Sequence, residues 1–367
     1  MCGRAPVGHA LWAADPVCAK MAASHHESDV FEFVVKKGFG VKGLADSGIT
    51  SVPPRYIHPP DERIDRKKTI DASPFLGSPI DLSGLEGEKK DETIAAICEA
   101  ASKLGFFQVV NHGVSLQVME RAKQDAHTFF NLSPEKKAVY LKGKTPCPNV
   151  FYSTSFGRRP RKNSFSWFID LLTGIYGCRD AAHDYLKAAS KMIQGILGAL
   201  LRGLGVEYDE SLLSCYMEAK AVNMNFYPPC PNPELTVGVG RHSDLAALTI
   251  LLQDDIGGLF VKVEDGGWIE IPPVEGAIVV NVGDTLEILS NGRYKSAEHR
   301  VIASSTRARV SVPIFVSPRP HTMIGPLLGL AEKDGKTVYR HLLFGEYMTN
   351  YFGAAHQGKK TLVFARL

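Results

Sequence analysis

The sequence predicts a mainly β fold, a β-sandwich or closed β-roll, backed by helices in its N-terminal half. After residue 223 the chain is a series of short segments rich in β-branched residues, and the pairs Gly266-Gly267 and Asn291-Gly292 are typical of hairpin turns. Before that point, apolar residues recur at helical spacing. Because each element buries one apolar face, this order of helices and strands favours a roll with helices packed outside it.

The N-terminal half accounts for most of the predicted helices. Residues 31–60 are interpreted as a short helix, a glycine-rich turn (Gly38, Gly40, Gly43) and a proline-rich extended piece. A further helix begins at Ser133-Pro134, which suit the N-cap and the first helical position. The remaining predicted elements here are strands at 79–82 and 106–111 and helices at 88–104, 115–131 and 180–205.

The C-terminal half accounts for most of the predicted strands. They lie at 248–253, 259–263, 268–271, 277–282, 299–303 and 307–316. From Thr337 the apolar pattern predicts a helix that includes Tyr347, then a Lys-Lys turn and a last strand at 362–364.

Composition limits the function classes. The 367 residues carry a net charge of +3 and 44% hydrophobic residues, which fits a folded protein and argues against a nucleic-acid binder driven by charge. No apolar run reaches the roughly 18 residues of a membrane span. The seven cysteines are scattered without a Cys-x-x-Cys pair, which predicts reduced thiols in a cytoplasmic protein. Cys230 is interpreted as a small residue packed in a turn rather than a nucleophile.

Residues 1–30 are predicted to be a disordered or leader extension. The first 20 residues hold Arg4 and Lys20 with few acids, which suits a transit peptide, but Asp15 interrupts the apolar stretch that a secretory signal needs. The alternative is a disordered extension upstream of a second start at Met21.

A metal site is predicted from three residues. His242 and Asp244 stand two apart, so on an extended strand both side chains leave the same face. His299 can return to that face on a later strand. Two imidazoles and one carboxylate form the facial triad of non-haem Fe(II) oxygenases, which leaves coordination positions open for a co-substrate and dioxygen. His112, in a turn after a strand, is interpreted as structural.

An anion clamp is predicted from Arg309 and Ser311, which are again two residues apart. A guanidinium and a hydroxyl on one face suit a carboxylate, because the planar fork of arginine binds two oxygens at once. Each motif alone is weak. The order His-x-Asp, then a distant His, then Arg-x-Ser is much more specific.

These motifs resemble those of the plant-type 2-oxoglutarate- and Fe(II)-dependent dioxygenases, over about residues 31–150 and 180–367. Within that family, the segment Phe31 to Pro54 is similar to the feruloyl-CoA ortho-hydroxylase branch, whose members make coumarin precursors. The residues that carry the family resemblance are Pro79 to Leu82, Gly105 to Gly113, Asn225 to Pro231, His242 to Asp244, Gly283-Asp284, Ser290 to Gly292, Lys295-Ser296, His299-Arg300 and Arg309 to Ser311.

The resemblance implies a double-stranded β-helix, or jelly roll, and an oxidoreductase that uses Fe(II), 2-oxoglutarate and O2, with ascorbate as activator. It also implies that Asn225 and Tyr227 contact 2-oxoglutarate near its chelated end, while Arg309 and Ser311 hold the far carboxylate. The C-terminal helix either folds over the mouth of the roll or packs outside it. The expected regions are an N-terminal dioxygenase region at 31–150, a variable segment with the long helix at 151–215, the jelly-roll core at 216–320, and a C-terminal helix and strand at 321–367.

Residues 145–179 depart from the family pattern, since the chain is shorter here and carries the basic run Arg158, Arg159, Arg161 and Lys162. The run is either a solvated loop or a contact for an anionic substrate such as a CoA thioester. A third possibility is an aberrant splice or gene model, which leaves a compromised pocket.

The expected substrate is a small aromatic secondary metabolite of phenylpropanoid type. Even steps from Ser311 reach Phe315, which either stacks on a substrate ring or belongs to the core. The predicted activity is hydroxylation or another oxidation of this substrate, with feruloyl-CoA ortho-hydroxylation in coumarin biosynthesis as one case. The alternatives are another aromatic or indole substrate, or an impaired member that only binds a small ligand. No nucleic-acid or membrane partner is expected, and the protein is expected to be a monomer.

Overall fold

The structure is a computed structural model that describes residues 27–63, 69–140, 151–154, 169–172, 178–264, 266–354 and 359–367. Its strands are β1 Ile80–Asp81, β2 Phe106–Val110, β3 Phe151–Thr154, β4 Ile169–Leu172, β5 Ala219–Tyr227, β6 Val239–His242, β7 Leu248–Gln253, β8 Leu259–Lys262, β9 Trp268–Glu270, β10 Ile278–Val282, β11 His299–Val301, β12 Arg309–Ser317, β13 Met323–Ile324 and β14 Leu342–Leu343.

The α-helices of the described residues lie mostly before β5, as the sequence predicts. They are α1 Glu27–Phe31, α2 Gly40–Asp46, α3 Ser73–Leu76, α4 Lys90–Lys103, α5 Leu116–Phe130, α6 Pro134–Ala138, α7 Cys178–Gly203, α8 Glu210–Tyr216, α9 Asp284–Leu289, α10 Leu330–Asp334 and α11 Phe344–Ala354. A π-helical turn at Glu32–Lys36 and 3-10 helices at Pro54–Tyr56, Leu82–Glu86, Pro233–Leu235 and Lys359–Ala365 complete the set.

The strands form a jelly-roll core of two main sheets. The major sheet has the order β1-β2-β10-β7-β12-β5-β4-β3, and the minor sheet has the order β6-β11-β8-β9. The pairing is antiparallel except for β1 with β2. The helices cover the outer face of the major sheet, where Phe130 of α5 stacks on Phe226 of β5 with ring centroids 5.2 Å apart. This places the inner face of the sheet towards the minor sheet.

Register fixes which side chains share the inner face of the major sheet. Thr249 lies opposite Asn281 on one side and Phe315 on the other. Two residues further along β7 is Leu251, and two more is Gln253, which lies opposite Ser311. Since side chains alternate along a strand, these residues point to one side, and the first and last rows are about 13 Å apart along β7.

Apart from the last one, the predicted strands are confirmed with shifts of at most two residues at their ends. The glycine-rich turn predicted at residues 38–43 is only partly right. Gly38 and Gly40 have φ of +72° and +67°, as a turn requires, yet helix α2 begins at Gly40. A Cβ atom at Gly43 would lie 2.6 Å from Cβ of Phe39. The glycine therefore allows close packing inside a helix, which the sequence analysis had taken for a turn.

The C-terminal prediction is wrong in two respects. The helix begins at Phe344 rather than near Thr337, because residues Leu342–Leu343 pair with Met323–Ile324. The expected last strand at residues 362–364 is a 3-10 helix, in which Leu362 is buried and Val363 is 63% exposed. An apolar run without a neighbouring sheet edge has no partner for its backbone groups in a strand.

Part of the atypical segment extends the major sheet, because β3 and β4 pair with each other and β4 pairs with β5. The basic run Arg158, Arg159, Arg161 and Lys162 lies outside the described residues, as do most of residues 1–30. Among the helices of the described residues, none is long and apolar enough to cross a membrane.

Candidate metal centre and anion clamp

The three predicted metal ligands come together between the two sheets. His242 ends β6 and His299 begins β11, and the two residues are direct partners in the ladder. Asp244 follows in the turn after β6. Its Oδ1 lies 3.5 Å from Nε2 of His242 and 3.7 Å from Nε2 of His299. Within the described part of the chain, this is the one group of His, Cys, Asp and Glu residues whose candidate ligand atoms all lie within 4.8 Å of each other.

Backbone carbonyls orient both imidazoles. Nδ1 of His242 lies 2.9 Å from the carbonyl oxygen of Gly240, and Nδ1 of His299 lies 3.2 Å from that of Ala297. A carbonyl only accepts, so each Nδ1 carries a proton and each Nε2 faces Asp244 and the metal site. Phe106 of β2 packs edge-on against the ring of His299, with centroids 5.2 Å apart. The two Nε2 atoms are therefore ready to bind a metal.

The carboxylate of Asp244 is held on one side only. Its Oδ2 accepts hydrogen bonds from Oγ1 of Thr249 at 2.6 Å and from Nδ2 of Asn281 at 2.8 Å. Both donors belong to the major sheet. Oδ1 is thereby turned towards the two histidines. Such partners fix the direction of a ligand, and their loss typically costs about 10- to 100-fold in metal affinity.

Charge within the cluster sets the protonation states. Burial raises the pKa of Asp244, but the charges of His299 and His242 and the hydrogen bonds from His242 and Thr249 outweigh burial and hold the pKa well below its usual range. Burial lowers the pKa of His299 to about 4, and the charge of His242 contributes. Burial also opposes a charged His242, but its hydrogen bond to Asp244 raises its pKa. The raised pKa of His242 favours a second proton on this imidazole, at Nε2, which a metal ion displaces when it binds.

The turn that carries Asp244, residues 243–247, is called the metal loop below. It lies against the start of α9, where the N–H of Asp284 donates to the carbonyl of Asp244 at 2.7 Å. A Cβ atom on Gly283 would lie 2.0 Å from the carbonyl oxygen of Ala246. Only glycine permits this approach, which explains the Gly283-Asp284 pair seen in the sequence.

The C-terminal helix α11 contacts the metal loop from the other side. The hydroxyl of Tyr351 donates to the carbonyl of Ser243 at 2.7 Å, between the two ligands His242 and Asp244. One turn earlier, the hydroxyl of Tyr347 donates to Oδ2 of Asp284 at 2.7 Å. Asp284 is completely buried and also accepts from Ser296. The tail therefore supports the backbone of the metal loop.

Arg309, the first clamp residue, is 1% exposed and lies at the end of the roll where β7 turns into β8. Its Nε donates to the carbonyl of Gly257 at 2.7 Å, and its Nη2 donates to Oε1 of Gln253 at 3.1 Å. Nη1 is buried and has no hydrogen-bond partner among the described residues. A buried guanidinium nitrogen without an acceptor is costly, so this atom points to a missing anion.

Ser311, Asn225 and Tyr227 surround that guanidinium. Ser311 lies opposite Asn225 across the β12–β5 ladder, and Nδ2 of Asn225 lies 3.4 Å from Oγ of Ser311. Tyr227 lies opposite Arg309, with the guanidinium 5.0 Å from the ring centroid. The resemblance implied contacts of Asn225 and Tyr227 at the chelated end of 2-oxoglutarate. The register instead pairs both residues with the clamp.

Phe315 shares the inner face with the clamp, as the alternation along the strand predicted. It lies opposite Thr249, whose hydroxyl holds Asp244, so its position along the sheet is level with the metal ligands. It is one of the two partly exposed residues of β12, which is otherwise buried. A partly exposed aromatic residue at this level fits a cavity wall better than the core.

His112 and Cys230 have structural roles. Nδ1 of His112 accepts from the N–H of Val114 at 3.2 Å, and Nε2 lies 3.0 Å from the carbonyl of Gly276, so both ring nitrogens are engaged. Burial raises the pKa of Cys230 to about 12, which keeps the thiol protonated. Thr249, Asn281 and Tyr351 also support the site and were not predicted from the sequence. Thr249 and Asn281 had a weak signal, because each is a polar residue inside an apolar strand.

The residues fit Fe(II) and 2-oxoglutarate. Two neutral imidazole nitrogens and one carboxylate oxygen, grouped on one side, are the ligand set of non-haem Fe(II) sites with open positions. The orphaned Nη1 of Arg309, next to Ser311, offers a charged donor in a buried place for a carboxylate. Both groups of residues lie on the inner face of one roll.

Comparisons with known families agree with this site. Residues 208–318 match the 2OG-Fe(II) oxygenase superfamily, and residues 78–171 match the family described as non-haem dioxygenase in morphine synthesis N-terminal. The chain is 47% identical to a scopoletin 8-hydroxylase of Arabidopsis thaliana, over 93% of this chain and 98% of the relative. It is 48% identical to a feruloyl CoA ortho-hydroxylase of Ipomoea batatas, over 93% and 97%.

Solved structures show the same fold. JOX2, solved in complex with 2OG, Fe and JA, has a TM-score of 0.76 and 30% identity, over 89% of this chain and 97% of that one. A rice dioxygenase for auxin oxidation has a TM-score of 0.67 at 22% identity, over 79% and 99%. With these matches and the His-Asp-His site in place, the chain belongs to the 2OG-Fe(II) oxygenase superfamily and is a 2-oxoglutarate- and Fe(II)-dependent oxidoreductase.

Proposed function

We propose that this enzyme hydroxylates the aromatic ring of a phenylpropanoid presented as a CoA thioester, with feruloyl-CoA as the model substrate. His242, Asp244 and His299 hold the iron, and Arg309 and Ser311 hold the far carboxylate of 2-oxoglutarate. The observation that carries the proposal is the position of Phe315, which lies level with the metal ligands on the inner face. Relatives named feruloyl CoA ortho-hydroxylases, 42–48% identical, support the substrate class.

The bound iron, with 2-oxoglutarate and O2, supplies a two-electron oxidation in which R–H becomes R–OH while 2-oxoglutarate becomes succinate and CO2. The protein supplies direction. Thr249 and Asn281 aim one oxygen of Asp244, and Arg309 fixes the far end of the co-substrate so that its keto acid end meets the iron site. When the reacting groups are held in the reactive geometry on binding, no further entropy is lost in ordering them at the reaction step.

Phe315 supplies the contact to the ring. Offset or edge-on stacking adds about 0.5–1.5 kcal/mol beyond area burial, which is enough to decide the orientation of a planar substrate. Phe315→Ala is expected to weaken binding of the aromatic substrate several-fold. Release of succinate without substrate should persist, because neither the metal ligands nor the clamp change. Equal loss of both activities would assign Phe315 to the core.

The proposal that the substrate is a CoA thioester rests on the sequence. Arg158, Arg159, Arg161 and Lys162 lie outside the described residues, and their charges suit the phosphates of coenzyme A. Feruloyl-CoA and ferulic acid should be compared at low and high salt. Exposed charges are screened within about 10 Å at 0.1 M ionic strength, so a preference that comes from this run weakens with salt. A salt-independent preference would place its source elsewhere.

A second candidate is hydroxylation of a coumarin ring. It is favoured by the relative named scopoletin 8-hydroxylase, which is as similar to this chain as the ortho-hydroxylases are. The deciding experiment gives the iron-loaded enzyme feruloyl-CoA, ferulic acid, scopoletin and a neutral indole, and follows hydroxylated product together with succinate. Product from feruloyl-CoA alone supports the first proposal. Product from scopoletin alone, or from the indole, overturns it.

We further propose that the protein acts as a cytoplasmic monomer without a nucleic-acid or membrane partner. The free thiols Cys98, Cys215 and Cys230 suit a reducing compartment, and the net charge of +3 gives little attraction for nucleic acid. Light scattering of the eluting protein tests the monomer. Fractionation of cells that express a tagged chain tests the compartment.

A further inference from the structure

We infer that Gln253 is a third arm of the anion clamp and that its side-chain amide donates to the far carboxylate of 2-oxoglutarate. The inference rests on the proposed roles of Arg309 and Ser311. It adds a donor that neither the sequence motif nor the resemblance points to.

The position of Gln253 follows from register. It is the last residue of β7 and lies directly opposite Ser311 of β12. Ser311 in turn lies opposite Asn225 of β5, so three polar side chains form one row across three neighbouring strands. All three point to the inner face, since they occupy equivalent positions in antiparallel ladders. The row adjoins Arg309, two residues before Ser311.

The contact with Arg309 fixes the orientation of the amide. Oε1 of Gln253 accepts from Nη2 of Arg309 at 3.1 Å. A guanidinium only donates, so the oxygen of the amide faces it and the NH2 group points away. Nε2 is buried and has no hydrogen-bond partner among the described residues. Nη1 of Arg309 is likewise buried and has no hydrogen-bond partner among the described residues.

Two buried donors without partners, on side chains that hydrogen-bond to each other, can share one acceptor. An unsatisfied buried donor costs about 1–3 kcal/mol, and a carboxylate has two oxygens that can each accept. Oγ of Ser311 lies within reach of Nδ2 of Asn225, at 3.4 Å, and can accept from it while its own hydrogen is directed to the same anion. A carboxylate bound here would receive hydrogen bonds from Arg309, Gln253 and Ser311.

The neighbouring acid does not serve as the acceptor. The carboxylate of Asp254 accepts from the N–H of Ile256 at 3.1 Å and from the N–H of Val310. Asp254 also follows Gln253 directly, so its side chain leaves the opposite face of the strand. The acceptor for Nε2 must therefore come from the cavity.

Two substitutions separate donation to the anion from support of Arg309. Gln253→Met removes both the donor and the acceptor with little change of shape. Arg309→Lys removes the guanidinium from which Gln253 accepts. If Gln253 only supports Arg309, adding Gln253→Met to Arg309→Lys does not weaken 2-oxoglutarate binding further. If Gln253 donates to the anion, the double variant binds 2-oxoglutarate more weakly than Arg309→Lys alone.

The measurement is calorimetric binding of the keto acid to Mn(II)-loaded protein, with 2-oxoglutarate and 2-oxopentanoate as a matched pair. The second compound has the same keto acid end and lacks the far carboxylate. Loss of a hydrogen bond to a charged group costs about 1.5–3 kcal/mol, so Gln253→Met should raise Kd for 2-oxoglutarate about 10- to 100-fold. Kd for 2-oxopentanoate and for Mn(II) should change less than about two-fold, because neither carries the far carboxylate to which Gln253 would donate.

The remaining outcomes of the binding measurements contradict either the role of Gln253 or the clamp itself. Equal weakening of both keto acids, or unchanged affinity for 2-oxoglutarate, overturns the role of Gln253. If the unmodified protein itself fails to prefer 2-oxoglutarate over 2-oxopentanoate, the clamp is misassigned and the proposed function falls with it. Gln124→Met, at an exposed glutamine of α5, controls for the exchange of residue type.

Discussion

At the scale of single residues, hydrogen bonds to neighbouring groups leave one ligand atom of each residue in the site available for the metal. Carbonyl partners occupy Nδ1 of both His242 and His299, which leaves Nε2 for the metal. Thr249 and Asn281 occupy one oxygen of Asp244, which leaves the other. Hydrogen bonds thus orient the three ligands before iron binds. The expected effect of each substitution on metal affinity follows from these contacts.

Replacing a ligand should remove metal binding and leave the fold. His299→Ala leaves two ligands, which cannot hold a facial site, so Fe(II) or Mn(II) affinity and turnover should be lost. His112→Ala is the control, because His112 is also buried but is engaged by Val114 and Gly276. Metal titration together with circular dichroism checks this. If His112→Ala lowered metal affinity as much as His299→Ala, the ligand assignment would be wrong.

Metal affinity should depend on pH through one proton. The pKa of His242 is raised, so its imidazole takes up a proton as pH falls and the metal must displace it. His299, with a pKa of about 4, and Asp244, whose pKa is lowered, carry no proton to displace near neutrality. At pH values below the raised pKa of His242, affinity should fall by about ten-fold per pH unit, the slope of one proton. A slope of two protons would contradict this distribution.

Arg309→Lys should weaken 2-oxoglutarate binding with metal affinity unchanged. An ammonium cannot reproduce the fork of donors, and loss of a hydrogen bond to a charged group costs about 1.5–3 kcal/mol, or about 10- to 100-fold in affinity. The KM for 2-oxoglutarate in succinate release, and Mn(II) titration as control, measure the two effects. An unchanged KM would remove Arg309 from the clamp.

At the scale of elements, helix α11 and the metal loop form one unit. Tyr347 and Tyr351, one turn apart on the same face of the helix, reach Asp284 and the carbonyl of Ser243. Asp284 in turn donates its N–H to the carbonyl of Asp244. A helix in the tail thus determines the path of the backbone between two metal ligands.

Tyr351→Phe should lower metal affinity about five-fold, since one neutral hydrogen bond is worth about 1 kcal/mol. Tyr347→Phe should mainly lower the free energy of unfolding, by about 1–3 kcal/mol, because it removes a donor from the buried Asp284. Metal titration and urea denaturation separate the two effects. Tyr208→Phe is the matched control, because the hydroxyl of Tyr208 has no hydrogen bond within the described ranges. Equal effects in all three variants would mean that α11 has no special link to the site.

Most elements and the ligand set could be predicted from the sequence, because both follow from local patterns. Alternation placed Arg309, Ser311 and Phe315 on one face, and the register confirms it. The predictions were wrong where contacts with distant parts of the chain determine the secondary structure. The apolar run at Leu362 forms a 3-10 helix because it packs under α11 rather than in a sheet. The role of Gln253 could not be predicted from the sequence, because it depends on pairing with Ser311 of β12, which follows much later in the chain.

At the scale of the whole molecule, the proposed division into regions does not describe independent folding units. Strand β2, in the N-terminal region, lies between β1 and β10 of the jelly-roll core. Side chains reinforce this link, because Gln108 donates to the carbonyl of Pro272 and His112 contacts that of Gly276, each across 164 residues of chain.

The position of β2 between β1 and β10 affects the order in which the chain can fold. While the protein is being synthesised, β2 emerges long before β10, so its bulky apolar residues wait with one edge unpaired. Contacts between such distant residues also cost loop-closure entropy and make folding slow. We therefore expect a fragment that ends after α8 to stay unfolded and to aggregate or bind chaperones, and circular dichroism of that fragment checks this. A cooperatively melting fragment would show that the N-terminal region needs no partner strand to fold.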